Sequence, residues 1–111
     1  MENKEKEDIK LKFGLCIRQI IEENKEKAVG KRNHAYIDSL RKLEAASGVS
    51  FTIIQKISTG DKNPELTTIA ALAEGLGLGL TELFAYYDAL TDNDLRKARE
   101  AKKEKRDKKY P

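Results

Sequence analysis

Apolar positions recur at helical three-and-four spacing in five places along the chain, and no alternating run is long enough to suggest a strand. Ile9, Phe13, Ile17, Ile20 and Ile21 form the first stripe, and Glu22, Glu23, Lys25 and Glu26 close its polar side. The second stripe is Leu40, Leu43 and Ala46. Asp38 or Ser39 can cap it by accepting a hydrogen bond from a free helix N–H, and Gly48 suits its C-terminal end. Only Gly48 and Val49 separate it from Ser50, which can cap a third helix carrying Ile53, Ile54 and Ile57 and stopping near Gly60. A fourth helix carries Leu66, Ile69, Ala70, Leu72, Ala73 and Leu76. Asn63 is its predicted cap, with Pro64 in the first turn, where a missing N–H costs nothing. Gly77 ends it, and Gly79 or Thr81 opens a short fifth helix with Leu83, Phe84 and Tyr87. The pattern predicts an all-α fold of five helices around one small core.

The segments outside this pattern are charged. Residues 1–8 read as a disordered lead and residues 9–90 as the domain. Residues 91–111 form a tail with almost no apolar side chain after Leu95, either a helical extension or a disordered arm, with no face of its own to bury. The composition agrees. Of the 111 residues, 39% are hydrophobic and 37% charged, which describes a modest core with highly charged flanks. With 6% aromatics and no Trp, a large aromatic pocket is not expected. No apolar stretch approaches the ~20 residues that cross a bilayer. The charged N-terminus has no apolar segment behind it, so a cytoplasmic location is expected.

The net charge of +3 says less than its distribution. Residues 24–63 hold eight basic and four acidic side chains, whereas residues 64–90 hold four acids and no base. Residues 91–111 hold nine basic and five acidic side chains. A basic half can face phosphate while the acidic part turns away.

Candidate chemistry is sparse. One cysteine, Cys16, and one histidine, His34, leave neither an internal disulfide nor a zinc finger built from Cys and His ligands. The same single His would have to serve every nucleophile–base scheme, and paired acids such as Glu22-Glu23 or Asp92 with Asp94 have no apolar pocket to tune them. No enzyme activity, metal or cofactor is expected. His34 reads as a surface residue and Cys16 as a small residue near the apolar stripe of the first helix. The GLGLGL run at 75–80 lacks the Lys-Ser/Thr ending and the preceding strand of a phosphate loop, so it reads as helix termination.

Residues 39–60 carry the strongest signal: a short helix ending at a glycine, a tight turn, and a second short helix ending at another glycine. This is the spacing of a helix-turn-helix, whose second helix can enter the major groove with its N-terminal half. Ile53 and Ile57, with Ile54 in part, are predicted to pack inward, leaving Ser50, Phe51, Thr52, Gln55 and Lys56 outward.

Residues 13–84 resemble a DNA-binding domain of the Xre/Cro type, the lambda-repressor-like family. The matching stretches are Phe13-Gly14 with Ile17-Arg18, SLRKLEAASGVS at 39–50, Ile54, Ile57 and Gly60, Asn63-Pro64, and LGLGLTELF at 76–84. The resemblance implies a five-helix domain acting as a dimeric transcriptional regulator on double-stranded DNA. It places base contacts at Phe51, Thr52 and Lys56, with Gln55 beside them. It places phosphate contacts at Ser50, Thr59, Lys62 and Asn63. The residue types suit these roles. Gln pairs with adenine, Lys donates to guanine O6 or N7, and Phe or a Thr methyl packs on a thymine methyl.

Four departures from the family pattern stand out. Leu40 occupies the place of a frequent phosphate-binding Gln. Glu44 occupies that of a small Ala at the helix crossing, and Ser58 that of a common Glu. The connection before Ser39 is about a dozen residues longer than the compact family pattern and contains Lys25, Lys27, Lys31, Arg32, Asn33 and His34. Lys31 and Arg32 are candidate phosphate contacts there, against the alternative of an inert solvated loop. Leu83, Phe84, Tyr86, Tyr87 and Leu90 either form a homodimer face or only close the core. The alternative function is a protein–protein adaptor or a toxin-binding antitoxin using the same fold.

Overall fold

The computed structural model describes residues 1–29 and 36–109, and six α-helices lie among them. These are α1 (Asn3–Ala28), α2 (Leu40–Ser47), α3 (Phe51–Ser58), α4 (Leu66–Gly75), α5 (Leu80–Ala89) and α6 (Asp92–Lys109). The first five correspond to the five predicted stripes, and the tail supplies the sixth.

The core forms where these stripes meet. Cys16 and Ile17 of α1, Leu43 of α2, Ile54 and Ile57 of α3, Leu72 of α4 and Leu83 of α5 are fully buried. α1 is the spine, packing against α3, α5 and α6, while α2 packs against α3 and α4. Gly14 makes the α1–α3 contact close. A Cβ there would lie 2.5 Å from the Ile57 carbonyl oxygen and 2.7 Å from that of Ser58. Cys16 donates its thiol to the Leu83 carbonyl at 3.6 Å, and burial pushes its pKa up to about 12, so it is an inert core residue. The connection after α1 is tied back at its far end, where Asn24 Nδ2 donates to the Ile37 carbonyl at 2.9 Å.

Four expectations are corrected. The lead predicted as disordered is helical from Asn3, so α1 runs 26 residues to Ala28. Its Glu and Lys residues favour helix, and a partner far along the chain holds it. Asp8 receives Arg99 Nε at 2.9 Å and Nη2 at 2.8 Å. The tail, in turn, does bury an edge, with Leu95 and Ala98 of α6 closing over Leu11 of α1 and Leu15 flanking them. α6 opens on a reciprocal pair: Asp94 N–H donates to Thr91 Oγ1 at 3.1 Å, and Thr91 N–H donates to the Asp94 carboxylate at 2.9 Å.

The third correction concerns α4, which starts at Leu66 after an extended Glu65, not at the predicted Asn63 cap with Pro64 in the first turn. No side chain caps it, and Leu66 at its start is exposed. The fourth concerns α3, where Ile54 is fully buried beside Ile57 and Ile53 only half-buried. The spacing 54–57–58 forms the inward edge, because Ser58 is itself buried and donates its hydroxyl to the Gln55 carbonyl at 2.7 Å.

Candidate nucleic-acid interface

The turn between α2 and α3 is set by short-range chemistry. Ser39 caps α2 by accepting from Lys42 N–H at 3.1 Å, while Asp38 pairs with Lys42 Nζ at 2.7 Å. Gly48 ends α2 in the left-handed region at φ 76°, where a side chain would be strained, and its N–H returns to the Glu44 carbonyl at 3.0 Å. Val49 follows, packing partly into the core, with its N–H on Ser47 Oγ. Ser50 then caps α3 by accepting from Ile53 N–H at 3.3 Å.

Glu44 completes this start. Its Oε2 accepts the Phe51 N–H at 2.8 Å, placing a carboxylate on the free first turn of α3. The sequence suggests only that a Glu here could disturb the helix crossing. In the structure it joins the two helices. Arg41, one turn earlier on α2, stacks its guanidinium 3.7 Å from the centre of the Phe51 ring and reaches Glu44 at 3.6 Å. Its side chain stays 71% exposed, so the charge is still available to an outside partner. Sequence reasoning missed Arg41. The available signal was its place beside Leu40, where the usual polar clamp is absent.

The outward face of α3 carries Thr52, Gln55 and Lys56, all exposed, with Ser50 exposed at its start. Phe51 is half-buried beneath Arg41, less open than the sequence suggests. Thr59, Lys62 and Asn63 are exposed in the loop after α3. Thr59 Oγ1 is occupied locally, donating to Asp61 Oδ2 at 2.6 Å and lying within reach of the Gln55 and Lys56 carbonyls. The structure thus brings Ser50, Thr52, Gln55 and Lys56 onto one open surface with the Thr59–Asn63 loop beside it. Lys31, Arg32 and His34 lie outside the described residues.

The acidic and apolar remainder is placed elsewhere. Of the five residues considered for a dimer face, Leu83 is buried and Leu90 packs on the core. Tyr86 donates to Glu23 at 2.7 Å, and Tyr87 lies under Lys12 at 4.5 Å. Phe84 alone of the five is exposed, with Leu80 one turn before it. Among the described residues, no cluster of three metal-ligating side chains occurs and no single helix is long and apolar enough to cross a membrane.

A family model described as helix-turn-helix matches residues 31–83, a span that runs from the long connection through the first turn of α5. Over residues 31–83 the chain matches the helix-turn-helix family of Xre, lambda-repressor-like type. The family is one of DNA-binding domains, and the all-helical architecture agrees with it. No curated protein and no solved structure matches the chain. All of α1 and α6 and the later part of α5 lie outside the matched segment.

Proposed function

We propose that the chain is a sequence-specific transcriptional regulator that places α3 in the major groove of double-stranded DNA. One observation carries this reading. α3 buries Ile54 and Ile57 completely and turns Thr52, Gln55 and Lys56 to solvent, so a rigid seat presents three side chains with base-reading chemistry. Ser50, Thr59, Lys62 and Asn63 flank that face as phosphate contacts, and Arg41 joins them from α2. Arg41 supplies a cation near the place where Leu40 cannot make a polar contact. The Phe51 ring fixes the position of Arg41, and its own base contact is limited to its open edge.

The proposed working form is a cytoplasmic homodimer on two half-sites. Leu80 and Phe84, 40% and 37% exposed and one turn apart on α5, support a modest self-contact. In the proposed working form, regulation follows concentration or a bound protein, as in an antitoxin.

The test is selection of binders from a random duplex library at near-physiological salt, comparing wild type with Thr52→Ala and Lys56→Ala. An enriched motif that blurs at one position in each variant supports base reading, with a loss of about 1–3 kcal/mol per position. Binding without a motif, or indifferent to both substitutions, would favour the adaptor reading.

A further inference from the structure

α6 lies outside the matched family segment, and its later acids are gathered on one face. Between residues 96 and 109 it carries nine basic and three acidic side chains. At 100° per residue, Lys102, Lys105 and Arg106 fall within about 100° of arc on one side, while Glu100, Glu104 and Asp107 fall within about 60° on the other. Arg96 and Lys97 border the acidic arc and the other bases spread round the remaining circumference, so the side of Lys102, Lys105 and Arg106 is basic and free of α6 acids.

The cationic side is joined to the loop that follows α3. Lys102 Nζ pairs with Asp61 Oδ1 at 2.9 Å, and the other carboxylate oxygen accepts the Thr59 hydroxyl at 2.6 Å. Asp61 sits between Thr59 and Lys62 in the candidate phosphate loop, where a bare carboxylate would repel a DNA backbone. The Thr59 hydroxyl and the Lys102 ammonium hold its pKa below the ordinary value, and Lys10 of α1 adds to the positive field around it. Lys102 therefore neutralises the acid that stands in the way. Lys105 and Arg106 continue the same side one turn further and are exposed, and the ion pairs among the described residues use neither.

We propose that the Lys102, Lys105 and Arg106 edge of α6 is a second phosphate-binding surface, continuous with the Thr59–Asn63 loop, that grips the backbone of the same duplex α3 reads. The inference rests on the DNA-binding reading. The occupant is duplex DNA because the edge adjoins the loop already facing it and carries the complementary charge. The contact is indifferent to sequence, since it reaches only phosphates.

The decisive experiment measures the dependence of affinity on salt for the full chain on a random-sequence duplex of about 30 bp. It compares wild type, Lys105→Gln with Arg106→Gln, and Arg96→Gln with Lys97→Gln, the latter pair centred about 180° around the helix from the former. The two double variants remove the same charge from opposite edges of α6, and Gln preserves helix propensity. Circular dichroism checks that both stay folded. The first variant is expected to lower the slope of log affinity against log salt by about 1.8, two phosphate contacts at about 0.9 each, and the second by much less. Equal slopes in both variants, or a slope unchanged from wild type, would overturn the proposal while leaving α3 as a DNA reader. A wild type that binds no duplex at any salt would overturn both readings together.

Discussion

α3 and α6 each rest on α1, but they are held in different ways. α3 is seated by apolar burial: Ile54 and Ile57 are each 1% exposed and interlock with Ile17, Leu43 and Leu72 from three other helices. α6 is seated by a small edge, Leu95 and Ala98 on Leu11, each still 6–9% exposed, and by ion pairs at the surface. Non-directional burial from several sides fixes a helix whose face must be rigid, as a base-reading helix must be. Exposed ion pairs are worth little each and are screened by salt, so α6 is the helix that can detach without unfolding the rest. Under the proposed function, the difference suits α3 to rigid reading and α6 to adjustable backbone contact.

The strongest way to break this contrast is to empty the seat of α3. Leu43→Ala removes a fully buried side chain from the centre of the α2–α3–α4 contact. It should cost about 2–5 kcal/mol in denaturant unfolding. The equivalent change on α6, Leu95→Ala, should cost distinctly less and act mainly on α6 amide exchange. Similar losses from the two would show the seats to be alike. Next in size is Gly14→Ala. The new Cβ would press on the carbonyls of Ile57 and Ser58, which are backbone and cannot swing away. A loss of about 1–3 kcal/mol is expected, with the α1–α3 spacing widened. A variant as stable as wild type would mean that α3 is free to shift on α1.

The two seats also differ in how far they are legible from the sequence. The helix-turn-helix could be read because its punctuation is local. Ser39, Gly48 and Ser50 act within four residues of themselves, and the structure gives each the predicted role. The outward placement of Thr52, Gln55 and Lys56 follows from the same stripe, even though Ile54 and not Ile53 proved to be its inward centre. The seat of α6 could not be read, because the pairing of Asp8 with Arg99 spans 91 positions and a lone Leu95 gives no periodicity. Its start carries a local signal that the sequence reading did not use, the Thr91–Asp94 reciprocal cap at the usual spacing. Arg41 and Glu44 fall between these cases. Each is ordinary on its own helix and gains its role only when the turn brings Phe51 against it.

Glu44→Gln sharpens the comparison at the start of α3. The amide can still accept the Phe51 N–H, but the charge facing the helix N-terminus is gone. Stability should fall by about 0.3–1 kcal/mol. Arg41 also loses its carboxylate partner, so its stack on Phe51 should loosen, visible as new motion of the Phe51 ring in NMR. An unchanged ring environment would mean that the stack alone holds Arg41.

The smallest expected effect separates the two seats by pH. The guanidinium of Arg99 holds the Asp8 carboxyl below the ordinary aspartate value of 3.8, and Thr59 and Lys102 do the same for Asp61. A carboxylate whose pKa is lower in the folded state contributes stability that is fully present above the unfolded value and lost as pH falls through the folded value. The contribution of these pairs is therefore complete at neutral pH and disappears below 3.8 as both acids take up protons. α3 has a carboxylate only at its start, Glu44 on the Phe51 N–H, while its seat is the apolar burial of Ile54 and Ile57, so that seat should outlast that of α6 as the solution is acidified. Amide-exchange protection factors through 92–109 should drop before those of 51–58. In Asp8→Asn the α6 factors should start lower at neutral pH and change less on acidification. Parallel loss in both helices, with Asp8→Asn indistinguishable from wild type, would mean that the apolar edge at Leu95 and Ala98 holds α6 and the ion pairs contribute nothing measurable.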